Sequence, residues 1–231
     1  MAFDWSAVDT VLLDMDGTLL DLHFDNYFWQ QHLPACWAEQ RGMPLAAAHE
    51  ILVPRFRELE GTLAWYCLDF WSRELELDVL SLKDDLQHLI GLRPHAEIFL
   101  EALGRMGKRR ILVTNAHPDV LDYKLARTDL ARHFEALVSA HALGEPKEAA
   151  AFWSRLQQQQ PFTPPQTLLI DDNNQVLMTA RAFGIAHLLS IAQPDSRQPP
   201  RAAADFPAVA DFRELLAGAD TVAATENEIA H

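Results

Sequence analysis

Short runs of apolar residues recur along the chain at DTVLLDM (9–15), RRILVTN (109–115), EALVSA (135–140), TLLIDD (167–172) and IAHLLSI (185–191). Runs this short, bounded by polar and turn residues, predict strands buried on both faces. From the second run onward they alternate with helix-like stretches of ordinary length. Such alternation predicts an α/β fold, a parallel sheet covered on both sides and joined by right-handed crossovers. The interval between the first and second runs breaks the rule, because about ninety residues intervene where one crossover helix would suffice.

Most of that interval, residues 22–91, carries helical spacing and many aromatics. Phe24, Tyr27, Phe28 and His32 share one stripe, and Trp65, Leu68, Trp71 and Leu75 another. Ser81 and Asp84 resemble a helix start, Gly61 and Gly91 resemble stops, and Pro34 and Pro54 should kink or end the helices that contain them. About four helices are expected. The pattern therefore divides the chain into a core, residues 1–21 and 92–231, and a small helical domain, 22–91, inserted after the first strand. Beyond residue 192, QPDSRQPPRAAADFP reads as a loop, DFRELLAG as a last short helix and TVAATENEIAH as a frayed end.

Composition narrows the function. Hydrophobic residues make up 49% of the 231-residue chain, enough for a packed core. Nineteen basic residues against 33 acidic ones give a formal charge of −14, which speaks against a nucleic-acid polymer as partner. No stretch approaches the roughly 20 apolar residues of a membrane span, and MAFDWSAVDT lacks the layout of a secretory signal. No membrane partner and a cytoplasmic location are expected. Cys36 and Cys67 show no metal-ligand spacing and read as reduced core thiols. The pattern carries no signal of oligomeric state.

The first apolar run ends in Asp14-Met15-Asp16-Gly17-Thr18. In an open parallel sheet, ligands bind beyond the carboxyl ends of the strands, so the polar residues there carry the candidate chemistry. The second run ends in Thr114-Asn115, the fourth in Asp171-Asp172, and Gly144-Glu145-Pro146-Lys147 follows the third as it enters a helix. Carboxylates gathered at one sheet edge require a hard cation, and an all-oxygen set suits Mg2+. A phosphate ester fits the remaining groups. Lys147 and Thr114 would clamp the phosphoryl group, Asp14 would attack phosphorus, and Asp16 would move the proton.

These motifs resemble the haloacid dehalogenase superfamily, whose pattern is D-x-D-G-T after strand one, a Thr or Ser after strand two, a Lys near a later helix start and a late acidic pair. The resemblance implies a Rossmann-like core with a mobile helical cap hinged near residues 19–23 and 91–95. It implies that Asp14, Asp16, Asp171 and Asp172 hold magnesium, Asp16 through its backbone carbonyl. The second aspartate marks phosphatases and phosphotransferases within the superfamily and sets aside carbon–halogen chemistry. LLDLHFDNYFW, WYCLDFW, TNAHP and IDD further resemble the bacterial GMP/IMP nucleotidase subgroup of 5′-nucleotidases, which implies a purine nucleoside monophosphate as the small-molecule substrate.

Other readings compete at each position. Asp14 and Asp16 could belong to a solvated turn, Lys147 could be an ordinary surface lysine, and Thr114 or Asp171-Asp172 could cap helices. In the insert, Phe24, Tyr27, Trp65 and Tyr66 are candidates for stacking on a base, and Asn26, Arg55 and Asp69 for reading its edge; His117 is a further substrate candidate. Three alternative functions stay open: a phosphatase for a sugar phosphate or phosphoglycolate, a phosphomutase, and a non-catalytic phosphate-binding module.

Overall fold

The computed structural model describes residues 3–201 and 205–216. Five parallel strands fall where the apolar runs predict them: β1 (Thr10–Leu13), β2 (Arg109–Thr114), β3 (Ala136–Ser139), β4 (Thr167–Ile170) and β5 (His187–Ile191). A sixth, β6 (Ala208–Val209), is too short to stand out in the sequence and pairs parallel with β5. The strand order is β3-β2-β1-β4-β5-β6. Successive strands step away from β1 on one side and then on the other, so the order reverses beside β1, where such sheets bind ligands.

Alternation along the strands sends Val11, Leu13, Leu112, Leu168 and Ile170 to one face and Leu12, Ile111, Val113 and Leu169 to the other. On the first face α5 (Ala96–Arg105) contributes Phe99, Leu100 and Leu103, and α6 (Pro118–Thr128) contributes Leu121. On the second, α8 (Ala150–Gln159) packs Phe152, Trp153 and Leu156, and α9 (Asn174–Phe183) packs Val176, Leu177 and Ala180. Both faces are thus dry, which is why β1 and β4 are buried throughout and apolar in every residue after their leading Thr10 and Thr167.

Between β1 and β2 the chain is helical. α1 (His23–Tyr27) runs through a π turn at Phe28–His32 into α2 (Leu33–Arg41), followed by α3 (Leu45–Leu59), α4 (Leu68–Leu75) and a 3-10 segment Ser81–Leu89. These share a hydrophobic cluster of their own, including Phe24, Phe28, Trp37, Leu52, Trp71 and Leu75, which also touches Val120 of α6. Pro34 follows the π turn at the start of α2 without ending the helical run, and Pro54 lies inside α3 without ending it. Tyr27 is 41% exposed and leaves the predicted stripe. Asp78, rather than Ser81, caps the 3-10 segment, accepting from both the amide and the hydroxyl of Ser81.

The two connections to the core are tied together. Asp21 N donates to the Gly91 carbonyl at 3.0 Å and Arg93 N to the Leu19 carbonyl at 2.8 Å, so chain entry and exit form a two-stranded neck. The predicted last helix is a 3-10 turn at Phe212–Leu215, and TVAATENEIAH lies outside the described residues. No helix among the described residues is long and apolar enough to cross a membrane.

Candidate active site

Regular pairing in β1 stops at Leu13. Asp14 N still donates to the Ile170 carbonyl at 3.0 Å, and the chain then turns tightly, with Gly17 N bonded to Leu20 O at 2.8 Å. Gly17 has φ +83°, and a Cβ there would stand 2.7 Å from Cγ of Asp172. The backbone passes so close to that carboxylate that only glycine fits.

Lys147 stands in the loop after the one-turn helix α7 (Ala140–Leu143), three residues before α8, and not in the first turn of a helix. Its Nζ lies 2.6 Å from Asp14 Oδ1, 2.6 Å from Asp171 Oδ2 and 3.2 Å from the Val113 carbonyl. Asn115 fixes the loop by accepting from Lys147 N at 2.9 Å. Thr114, buried at the end of β2, accepts from Ala116 N at 3.0 Å. Asn173, and neither aspartate, caps α9, while Asp171 Oδ1 accepts from Asn173 N at 2.9 Å. Asp172 Oδ2 is paired with Arg201 at 3.0 Å.

Carboxylate oxygens of Asp14, Asp171 and Asp172 all lie within 4.8 Å of one another. Asp14 Oδ2 is buried with no hydrogen-bond partner among the described residues. Burial pushes Asp14 up to about 6, with Asp171 adding to the shift and Lys147 opposing it. Burial likewise raises Asp171 to about 6 and Asp172 to about 7. One lysine does not satisfy three acids at this spacing, and an oxygen-only donor set with an orphaned oxygen fits a hard divalent cation.

Asp16 belongs to a second charge cluster. Lys124 of α6 places Nζ 2.6 Å from Asp16 Oδ1 and 2.7 Å from Asp25 Oδ2, and Lys83 follows 4.0 Å from Asp25. Burial raises Asp16 to about 7, against the pull of Lys124. Neither lysine is visible as a site residue in the sequence, since each stands at an ordinary helical position. Glu148 was also missed. It accepts from Asn115 at 2.9 Å, Tyr66 at 2.7 Å and Asn173 at 3.1 Å, linking the helical segment to the sheet edge.

Asp14, Asp16, Thr114, Asn115, Lys147, Asp171 and Asp172 border one cavity of about 1000 Å³ between the sheet edge and the helical segment, whereas Lys124 and Glu148 are not in its lining. Of the sequence candidates in that segment, Asn26, Trp65 and Tyr66 line it, as does His117. Phe24, Tyr27, Arg55 and Asp69 do not. Phe24 is packed inside the helical cluster, Tyr27 points outward, Arg55 is engaged with Glu58 and Glu74, and Asp69 lies 4.0 Å from His117 Nε2. The wall is completed by Trp29, Phe56, Arg57 and Glu60, whose helical spacing alone did not separate them from residues on the outer faces.

Residues 8–184 match the family described as haloacid dehalogenase-like hydrolase. A relative named GMP/IMP nucleotidase YrfG, from Escherichia coli K12, is 42% identical over 212 residues, 92% of this chain and 96% of that protein. Among solved structures, a HAD phosphatase from Thermococcus onnurineus superposes with TM-score 0.74 at 19% identity, covering 90% of this chain and 96% of that one. The HAD-hydrolase YfnB from Bacillus subtilis, bound to magnesium, superposes with TM-score 0.62 at 17% identity over 91% of this chain and 97% of that one. With the acidic sheet edge, the buried lysine and the strand order in place, the chain belongs to the haloacid dehalogenase-like hydrolases.

Proposed function

We propose that the protein is a Mg2+-dependent phosphomonoesterase that hydrolyses purine 5′-monophosphates, GMP and IMP, through an aspartyl-phosphate on Asp14. The observation that carries this reading is the buried Lys147 ammonium bridging Asp14 and Asp171 at the end of a cavity large enough for a nucleotide. Asp14, the Asp16 backbone carbonyl, Asp171 and Asp172 would hold the ion. When bound, it supplies positive charge against the phosphoryl oxygens and the carboxylates.

The chain's own groups supply the rest. The Asp14 carboxylate attacks phosphorus as the ester P–O bond breaks, and Asp16 gives its proton to the leaving 5′-oxygen. Asp16 then takes a proton from the water that splits the acyl-phosphate, which frees the Asp14 carboxylate and returns Asp16 to its protonated form. A carboxyl poised near neutrality suits both directions of transfer, and Asp16 is raised to about 7. Lys147 orients Asp14 and offsets the dianion, the Thr114 hydroxyl and Asn115 bind phosphoryl oxygens, and Glu148 steadies Asn115.

Residues 22–91 act as a cap in this reading, closing over the site on the neck formed by residues 19–22 and 91–93. The aromatic wall of Trp29, Phe56 and Trp65 offers a purine a stacking surface, with Arg57 and Glu60 at hand for its polar edge. The name of the E. coli relative supports purine nucleotides over other esters. The test is phosphate release from GMP, IMP, AMP, a sugar phosphate and phosphoglycolate, with magnesium added or chelated. GMP and IMP turned over fastest, and only with magnesium, is the expected result. Faster turnover of a non-nucleotide ester would overturn the substrate assignment.

A further inference from the structure

A second group of metal-ligating side chains converges where the helical segment meets the sheet edge. Ligand atoms of Cys67, His117 and His141 all lie within 4.8 Å of one another, and Asp69, His117 and Asp119 form an overlapping set at the same spacing. Cys67 precedes α4, His117 caps α6 and His141 lies in α7, so three segments distant in sequence contribute. The two imidazoles meet edge to face with ring centroids 5.0 Å apart. His141 Nε2 is buried and has no hydrogen-bond partner among the described residues. A buried polar atom left unpaired costs about 1–3 kcal/mol, so this nitrogen gains from a ligand.

We propose that Cys67, His117 and His141, with Asp69 as a fourth ligand, bind a zinc-class divalent cation that staples the helical segment to the sheet edge. The donor set decides the class of ion: one thiolate and two imidazoles favour zinc or cobalt, whereas the all-oxygen Asp14 cluster favours magnesium. Asp69 Oδ2 already stands 4.0 Å from His117 Nε2. Bonds of about 2.0–2.3 Å to one ion require the four groups to draw together by small side-chain rotations. On binding, the Cys67 thiol releases its proton to solvent and its sulfur takes the metal bond. His117 would give Nε2 to the ion and move its ring proton to Nδ1, where Asp119 Oδ2 lies 3.6 Å away and can accept it. That exchange gives up only a long 3.4 Å contact from Asp119 N.

Cys67 and Asp69 come from the helical segment, and His117 borders the large cavity, so the ion fixes how that segment sits over it. The effect on turnover rests on the phosphatase reading, whereas the binding does not. The test is a cobalt titration of the full chain saturated with magnesium. A single equivalent should give tetrahedral d–d absorption and a thiolate-to-cobalt charge-transfer band, both displaced by zinc. Cys67→Ser should abolish the charge-transfer band and His141→Gln should weaken cobalt binding at least about tenfold, while both variants keep their turnover in magnesium without added cobalt or zinc. Zinc should inhibit the wild type under saturating magnesium and spare the two variants. A spectrum without the thiolate band, or a band that survives Cys67→Ser, overturns the site; zinc bound with turnover unchanged overturns the staple. If no phosphate ester is hydrolysed, the phosphatase reading fails and the cobalt spectrum still decides this one.

Discussion

Lys124 Nζ lies 2.6 Å from Asp16 Oδ1, and the lysine is only 1% exposed. A buried ammonium so placed holds the carboxylate in one orientation, and its second bond, to Asp25 at 2.7 Å, ties that orientation to the helical segment. Lys124→Met keeps the shape and removes the charge. It should lower kcat at least about tenfold, since proton transfer by a positioned acid contributes about 10²–10⁴. Stripping one partner from a buried pair should also cost on the order of 3 kcal/mol. Steady-state kinetics and urea unfolding measure the two effects; unchanged kcat would remove Lys124 from any role in positioning Asp16.

Asp14→Asn should reduce turnover to background while leaving the far-ultraviolet circular dichroism unchanged. The amide cannot attack phosphorus, yet it fills the same volume beside Lys147. Substantial phosphate release from purified variant would sink the nucleophile assignment.

Gly17→Ala tests the close approach between the turn and Asp172. A side chain at φ +83° costs about 1–2 kcal/mol, and the new Cβ would stand 2.7 Å from Asp172 Cγ. Asp172 must move, so the magnesium concentration for half-maximal activity should rise at least about tenfold. A magnesium titration of activity reads this directly.

The raised carboxylates make the metal's contribution to stability depend on pH. Asp14 and Asp171 are raised to about 6 and Asp16 and Asp172 to about 7, all above the unfolded value of 3.8. The folded state therefore binds more protons than the unfolded chain, and metal-free stability should fall as pH rises from about 4 through about 7. Magnesium held by Asp14, Asp171 and Asp172 would displace the protons of those three and should oppose the fall. The gain in Tm on adding magnesium is expected to be small near pH 5 and large near pH 8. Thermal melts at both pH values decide it; a gain that shrinks with pH would contradict the arrangement.

Trp65→Ala should weaken GMP more than a small ester. Stacking on a base is worth about 1–3 kcal/mol, so kcat/KM for GMP should drop while that for p-nitrophenyl phosphate changes little. The variant keeps the backbone carbonyl that accepts from Trp71 at 2.8 Å, so the fold is expected to survive. Equal losses on both substrates would assign Trp65 to packing alone.

The core was legible because its signals are local. Strands buried between two helical layers carry an apolar stretch, so β1 to β5 stand out as short runs, whereas β6, at two residues, offers no pattern. Asp14, Thr114 and Asp171 could be expected at one edge because strand ends in such a sheet share it, and that rule needs no knowledge of side-chain packing. In the helical segment that logic fails. A helix face tells which residues are buried, but burial against a neighbour and burial against a ligand look alike in periodicity. Phe24 and Trp65 were therefore equal candidates, and only packing put Phe24 among its neighbours and Trp65 on the cavity wall.

The sequence by itself determined the sheet, its helical covering, the place where the chain departs after β1 and the acidic edge that calls for a cation, because each follows from residue type at fixed spacing. The tertiary structure decided the partnerships across long separations. Lys124 meets Asp16 across 108 positions and Lys147 meets Asp14 across 133, and Cys67, which shows no metal-ligand spacing in the sequence, is brought beside His117 and His141. The reason is physical: charge and metal-ligand interactions act over a few ångströms of space, and which side chains come that close is settled by how helices dock, which no local pattern encodes.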